Sequence, residues 1–143
     1  MRGSDPNGAV YWLARMLEGG EDPKFIARRM VIFASEDIGN ANANALLLAT
    51  NAFQAITQIG MPEGRIILSQ VAVYLASSIK SNASYMAIGA ASDLVRKTGD
   101  LPVPLHLRNA VTKLMKNIGY GKDYKYAHNY DKNFVEQDFL PDE

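Results

Sequence analysis

A basic segment near the end of the chain holds the side chains whose types and spacing best suit binding chemistry. Its five cations and two tyrosines are Arg108, Lys113, Lys116, Lys122, Lys125, Tyr120 and Tyr124. Only Asp123 opposes these cations between residues 108 and 125. Lysine and arginine bind phosphate oxygens, and tyrosine rings stack on exposed bases. These seven residues are therefore the candidate DNA contacts.

Charge elsewhere in the chain weakens this interpretation. The formal net charge of the whole chain is zero, so any nucleic-acid binding must depend on a local patch. Acidic residues dominate the last thirteen positions, where Lys132 opposes Asp131, Glu136, Asp138, Asp142 and Glu143. We expect this tail to screen the basic segment or to fold back onto it. On residue chemistry alone, a closing helix with solvated lysines is the favoured alternative.

No catalytic or metal-binding constellation is recognisable in the sequence. His106 and His128 are the only histidines, and they lack a zinc-site spacing. Glu36 and Asp37 are adjacent, so on a helix they diverge by about 100° and cannot easily share a substrate. Residues 119–122 contain two glycines and a lysine but not the full phosphate-binding loop. We predict no catalytic residues and no metal ligands. A small-molecule enzyme with a pocket lined by His106 and Glu36 is the remaining, less favoured alternative.

Length and composition indicate one globular domain. A chain of 143 residues with 48% apolar and 21% charged residues can bury a core and is not typical of a disordered protein. The absence of cysteine excludes disulfides and thiolate metal sites, and it is compatible with a reducing cytoplasm. No apolar run approaches the ~20 residues of a membrane-spanning helix. Because a helix entry follows Met1 at once, we expect the sequence to be a fragment of a longer protein.

Hydrophobic periodicity predicts an all-α fold that positions the basic segment. Asp5 and Asp22 each precede a proline, which is a helix-start signal, and glycines follow the apolar runs as stop signals. Asn109 is the expected N-cap of the last helix and Gly119 its stop. The predicted helices cover about residues 5–18, 22–38, 42–59, 62–77, 81–98 and 109–118, with an irregular tail at 119–143. The tail includes alternating aromatic residues at 124–128, where a short extended segment is expected.

Residues at helical spacing define the expected buried face of each helix. In chain order these residues are Ala9, Trp12, Leu13, Met16, Leu17, Ile26, Met30, Phe33, Leu46, Ala49, Phe53, Ile56, Ile67, Val71, Tyr74, Leu75, Tyr85, Met86, Ala90, Leu94, Val111, Leu114, Met115 and Ile118. The fourth helix is apolar around much of its circumference, so it needs more than one neighbour. The fifth is rich in alanine and glycine and would allow close backbone approach. Ile66, Val73, Tyr74, Tyr85 and Arg29 are therefore the candidate oligomer-interface residues.

Several stretches, taken together and in order, resemble one protein family. They are Arg2-Gly-Ser-Asp-Pro, Tyr11-Trp-Leu-Ala-Arg-Met, Phe25-Ile-Ala-Arg-Arg, Ala34-Ser-Glu-Asp-Ile-Gly, Gly60-Met-Pro-Glu-Gly, Val73-Tyr-Leu-Ala, Lys80-Ser-Asn-Ala, residues 101–122 and Tyr124-Lys-Tyr-Ala-His. The chain is similar to the C-terminal region of the replication-associated recombination protein A family of AAA+ ATPases, which is related to eukaryotic Werner-helicase-interacting protein. The sequence departs from the family pattern at Val111, where proline is expected, and in an asparagine-rich turn at 40–44.

The resemblance implies a role for the parent protein in DNA replication, recombination and repair at stalled forks. It implies a helical, clamp-loader-collar-like region that assembles as a homotetramer and contributes contacts to single-stranded or junction DNA. ATP and magnesium would belong to an N-terminal motor, so this chain would carry no cofactor and no ATPase activity of its own. Single-stranded-DNA-binding protein or other replisome components are further partners that the resemblance suggests. It also implies a bacterial cytoplasmic, nucleoid-associated location without membrane contact. An autonomous DNA-binding helical module is the alternative function.

Overall fold

The computed structural model describes residues 1–141, which are all-α, as the sequence predicted; these residues contain no β-strand. They divide into two compact units, residues 1–92 and a second unit that begins at Asp93. The six α-helices are α1 (Pro6–Glu18), α2 (Pro23–Phe33), α3 (Asn44–Ile59), α4 (Gly64–Ser77), α5 (Ala83–Thr98) and α6 (Lys113–Asn117). Helix α5 runs across the division between the units. The predicted tail residues Asp142 and Glu143 lie outside the described residues.

The first two helices begin where the sequence predicts. The Asp5 carboxylate accepts a hydrogen bond from the Gly8 amide (3.0 Å), and the Asp22 carboxylate accepts one from the Lys24 amide (2.9 Å). Each cap is followed by a proline at the first helical position, where the missing amide proton costs nothing. Local sequence chemistry is therefore sufficient to start both helices.

The segment after α2 departs from the regular helix expected up to residue 38. Residues Ala34–Ile38 form a π-helical turn, which widens the helix and brings Ile38 into the core with no exposed surface. Gly39 ends this turn at φ +51°, and a Cβ there would lie 2.9 Å from the carbonyl oxygen of Ser81. The Ser81 amide donates to the carbonyl oxygen of Asp37 (2.9 Å). The glycine is therefore required by the close approach of the 78–82 turn.

Helices α1 to α4 enclose the core of the first unit. Its largest fully buried side chains are Ile38, Leu68 and Leu75. The predicted stripes are confirmed for Leu13, Ile26, Met30, Phe33, Ala49, Ile56, Val71 and Leu75. Ala9, Leu17, Phe53, Ile67 and Tyr74 are only partly buried.

Three residues predicted to be buried in this unit are exposed instead, namely Trp12, Met16 and Leu46. Helix α3 turns Ala45, Ala49 and Ala52 inward, and the small alanine face lets neighbouring helices approach closely. Leu46 is one position further around the helix from Ala45, so it points away from the core. Periodicity identified the helix and most of its buried face correctly but misplaced Leu46.

Helix α5 has no buried residue. The prediction that Tyr85, Met86, Ala90 and Leu94 face inward is therefore wrong for the single chain. The Ser81 hydroxyl accepts a hydrogen bond from the Ala83 amide (3.3 Å) at the start of this helix. The local sequence therefore supports the start of α5, although none of its residues is buried.

In the second unit, α6 is only five residues long and begins later than predicted. Its N-cap is Thr112, whose hydroxyl accepts from the Met115 amide (3.2 Å), so Asn109 does not cap it. The backbone is extended at Arg108 (φ −88°, ψ 138°), and Val111 lies outside the helix with 81% of its surface exposed. The expected stripe of Val111, Leu114, Met115 and Ile118 is therefore not formed.

Gly119 ends α6 and the tail is irregular, as predicted, but the extended segment expected at 124–128 is interrupted by a 3-10 turn that begins at Ala127. Gly119 has φ +95°, and the Gly119 and Tyr120 amides donate to the carbonyl oxygens of Lys116 and Met115, both at 3.0 Å. These two hydrogen bonds form a Schellman motif, a helix end that depends on glycine. Beyond it the described backbone is irregular, with short 3-10 turns at Ala127–Asn129 and Asp131–Asn133 and no strand at 124–128. No described residue of this unit is buried.

Candidate interaction surfaces

Large apolar side chains are exposed around the circumference of helix α5, and we name this set the α5 surface. Its members are Tyr85, Met86, Ile88, Leu94 and Val95, which are 53–65% exposed. A helix of 16 residues is about 24 Å long, and helices of this length are marginal in water without packing. Predicted interface residue Tyr85 lies on this surface. Ile88 and Val95 were missed, although their spacing of seven residues was a usable signal.

The other predicted interface residues lie on the first unit and differ in how far their side chains are exposed. Ile66 and Val73 on α4 are exposed (64% and 41%), and Arg29 on α2 is exposed beside a cleft of about 510 Å³. Tyr74 is half-buried, and its hydroxyl accepts from the Asn42 side-chain amide (2.9 Å). The Tyr74 hydroxyl thus has a structural role within this unit.

The second unit contains a cleft of about 980 Å³ that combines three of the predicted DNA contacts. Lys116, Lys122 and Lys125 line it together with His106. Lys113 projects from the exposed part of α6. None of the four lysines forms an ion pair with a carboxylate of residues 1–141. Three carboxylates, those of Asp123, Glu136 and Asp138, line the same cleft. Its formal charges therefore balance, although no ion pair joins them within the described part of the chain.

The tail folds back on this cleft, as expected, but through amide and carbonyl groups. Lys125 donates from Nζ to the carbonyl oxygen of Glu136 (3.0 Å) and from its amide to Oε1 of Gln137 (2.7 Å). Nε2 of His106 donates to the carbonyl oxygen of Asp138 (2.8 Å). The carboxylates of Glu136 and Asp138 line the cleft without pairing to its lysines. Lys125 is thus partly committed to holding the tail.

Two of the predicted DNA contacts, Arg108 and Tyr120, are hydrogen-bonded to each other. Arg108 donates from Nε to the carbonyl oxygen of Val103 (2.6 Å) and from Nη1 to the hydroxyl of Tyr120 (3.1 Å). Its guanidinium carbon also lies 5.1 Å from the centroid of the Tyr120 ring, which is a cation–π distance. Arg108 therefore supports the local fold, whereas Tyr124 is exposed.

The residues of the alternative enzyme pocket are engaged in structural contacts. Glu36 accepts from Arg2 (3.3 Å), which also donates to Asp37 (2.8 Å). The hydrogen bond to Asp37 and its negative charge raise the pKa of Arg2. His106 holds the tail, as described above. Residues 1–141 contain no cluster of three or more residues suited to hold a metal ion, and no helix there is long and apolar enough to cross a membrane.

The described residues are all-α with exposed apolar side chains and exposed cations, and comparison with known proteins identifies the family. The family model described as MgsA AAA+ ATPase C terminal matches residues 3–143. The chain belongs to this family of C-terminal domains of AAA+ ATPases.

Named relatives agree with the family match. The chain is 52% identical to replication-associated recombination protein A of Coxiella burnetii over 143 residues, which is 99% of this chain and 32% of that protein. It is 49% identical to the Escherichia coli K12 protein of the same name, over 90% of this chain and 29% of that protein. It is 49% identical to ATPase WRNIP1 of Dictyostelium discoideum, over 99% of this chain and 16% of that protein. The predicted family is confirmed, and the chain spans about a third or less of these relatives.

Proposed function

We propose that this chain is a self-association module that assembles an AAA+ ATPase of DNA replication and recombination as a homotetramer. The observation that carries the proposal is α5, a 16-residue helix with no buried residue and five large exposed apolar side chains. Water-exposed apolar area of this extent is typical of surfaces that are covered in obligate assemblies. A second copy of the same chain carries the same apolar surface and is always present at the same concentration. It is therefore the partner that we propose.

The direct test is the solution mass of this 143-residue chain. Sedimentation velocity and light scattering at tens of micromolar should give a mass four times that of one chain. Burial of α5 in the assembly should also slow hydrogen exchange at its amides. The exchange should be slower than in an isolated helix of marginal stability. A monomer with rapidly exchanging α5 amides at this concentration contradicts the proposal.

We propose DNA contact by the second unit as a further function. Lys113, Lys116 and Lys122 support it, because they are exposed cations without an ion pair in the described residues. Tyr124 is exposed for stacking on a base, whereas Arg108 and Tyr120 would first have to give up their mutual contact. Four subunits would multiply weak contacts of this kind along one DNA molecule.

The DNA proposal is tested by salt-dependent binding to single-stranded and junction DNA. Lys113→Ala with Lys116→Ala should weaken binding and lower the salt slope by about 1.8 on duplex arms and about 1.4 on single strands. Lys24→Ala with Arg28→Ala is the matched control, since it removes the same charge from exposed positions in the first unit. Equal losses in the two variants would mean that net charge, rather than this surface, governs binding.

We propose the remaining elements on the basis of the family resemblance. ATP and magnesium would be held by the portion of the relatives that this chain does not cover, so the chain itself would perform no ATPase reaction. The assembled protein would act at stalled forks in the bacterial cytoplasm, associated with the nucleoid. Single-stranded-DNA-binding protein or other replisome components are proposed as further partners. A nucleotide-hydrolysis assay on the isolated chain, with and without DNA, should give no turnover.

A further inference from the structure

We infer that residues 136–138, which we name the strap, inhibit DNA binding by the cleft of the second unit, and that DNA phosphates displace the strap when they bind. The inference rests on the proposed DNA contact and adds a regulation of that same surface. The strap lines the cleft and is hydrogen-bonded to two other residues that line it, His106 and Lys125.

Three hydrogen bonds hold the strap at the cleft. Lys125 donates from Nζ to the carbonyl oxygen of Glu136 (3.0 Å) and from its amide to Oε1 of Gln137 (2.7 Å). His106 donates from Nε2 to the carbonyl oxygen of Asp138 (2.8 Å). Lys125 is one of the cations proposed to meet a phosphate. A strap carbonyl oxygen therefore takes a place on its ammonium group that a phosphate oxygen would occupy.

The strap also supplies most of the negative charge in the cleft. Lys116, Lys122 and Lys125 line the cleft together with three carboxylates, two of which belong to the strap. At 0.1 M salt, charges less than about 10 Å apart still interact, so these carboxylates lower the attraction of the cleft for phosphates without pairing directly to a lysine. When the strap leaves, the three lysines face only the carboxylate of Asp123.

The docked strap is weakly held, so a phosphate can displace it. The large apolar side chains nearest to it in sequence, Phe134, Phe139 and Leu140, are 60–75% exposed and do not anchor it. Nε2 of Gln137 is buried from water without a hydrogen-bond partner among the described residues, which is a cost of docking. A charged phosphate oxygen also forms a stronger hydrogen bond to lysine than a neutral carbonyl oxygen does. Binding of DNA therefore competes successfully with the strap.

The first experiment frees the strap without changing the formal charge of the chain, which counts histidine as neutral. His106→Ala with Gln137→Ala removes two of the three hydrogen bonds. Fluorescence anisotropy with labelled single-stranded and junction DNA should show tighter binding than wild type, because Lys125 can then reach a phosphate. If Lys125 adds one phosphate contact, the gain should be about 3.5 times larger at 50 mM salt than at 200 mM on duplex arms.

The matched control is His128→Ala with Gln58→Ala, which changes the same residue types at exposed positions outside the cleft. It should bind DNA as the wild type does. Unchanged or weaker binding by the variant with the freed strap, at wild-type helicity, overturns the inference.

The second set of variants separates the bond to Lys125 from the charge of the strap. Lys125→Ala added to the freed variant should abolish its gain, and a gain that persists overturns the competition for this lysine. Glu136→Gln with Asp138→Asn removes the strap charges but keeps its backbone carbonyl groups. It should tighten binding more than Asp100→Asn with Asp131→Asn, which removes the same charge outside the cleft. Equal gains in these two variants overturn the screening by the strap.

A third measurement uses the wild-type chain and does not depend on any variant folding. The Lys125 amide, which the strap protects in the free chain, should exchange faster with solvent when DNA saturates the protein, whereas the amide of buried Leu75 should not change. Equal or slower exchange of the Lys125 amide means that the strap stays docked, and it overturns the inference. A chain that binds no DNA in either the wild-type or the freed form refutes the proposed DNA contact itself. Binding that shows neither the gain nor the release refutes the strap alone.

Discussion

The α5 surface allows a prediction in which loss of assembly is separated from loss of folding. Ile88 and Val95 are seven residues apart, so they lie on one face of α5, and they are 65% and 63% exposed. Replacing both by alanine removes apolar side-chain atoms from this face. Alanine has a higher helix propensity than either residue, so the helix of the single chain becomes more stable rather than less.

The expected effect can be worked out from the exposed fractions. Ile88→Ala removes three carbon atoms and Val95→Ala removes two, and each is worth about 0.8 kcal/mol when it passes from water into a fully buried environment. Because nearly two thirds of each side chain is still exposed in the single chain, about 2–3 kcal/mol per chain is available only on assembly. Because both copies in a contact carry the substitutions, about 4–6 kcal/mol is lost per contact. A factor of ten for each 1.4 kcal/mol converts this to a dissociation constant about 700- to 20,000-fold higher.

Sedimentation equilibrium over a concentration series measures this change. The matched control is Leu47→Ala with Ile59→Ala on α3, where the side chains are 62% and 56% exposed but lie off α5. We expect the α5 variant to dissociate at concentrations where the control and the wild type remain assembled. If the two double variants dissociate at the same concentration, the α5 surface is not the contact that holds the assembly together.

Three further predictions test the description of the fold. Leu68→Ala should lower the free energy of unfolding by about 2–5 kcal/mol in urea titrations, because Leu68 is fully buried in the first unit. Thr112→Ala should cost about 0.5–2 kcal/mol and melt the five-residue α6, seen as faster hydrogen exchange at the Met115 amide; unchanged exchange would contradict the cap. Since Asp37 raises the pKa of Arg2, the stabilisation from this pair is fully present below the ordinary pKa of arginine and is lost only above it. Thermal stability should therefore not fall between about pH 7 and about pH 10 through loss of the Arg2 charge, and Arg2→Lys should keep this profile.

The helices themselves could be predicted largely from short-range sequence signals. Asp5 and Asp22 start α1 and α2 through hydrogen bonds that reach only two or three residues along the chain. Gly119 stops α6 because its φ of +95° is favourable for glycine. The family could be recognised for a related reason, since its characteristic stretches occur in order along the chain. Each of these signals depends on residues close together in sequence.

The interaction surfaces could be predicted only in part. Ile66, Val73 and Tyr85 are exposed apolar residues, as an interface requires, but Tyr74 bonds to Asn42, 32 positions away. Arg108, one of the predicted DNA contacts, donates a hydrogen bond to the hydroxyl of a tyrosine twelve residues further on. Hydrogen bonds between distant residues leave no periodic pattern in the sequence. The sequence indicates which side chains are suited to bind a partner but not which of them are already engaged.

The sequence by itself determined the all-α class, the starts of the first helices and the family, because these follow from interactions between near neighbours and from the order of characteristic stretches along the chain. Tertiary structure alone decided that Leu46 faces outward while Ala45 faces the core, because close helix packing favours the smaller side chain. It also decided that α5 is left with no buried residue. Periodicity shows that a helix has an apolar face, whereas only the arrangement of the other helices shows whether that face is covered.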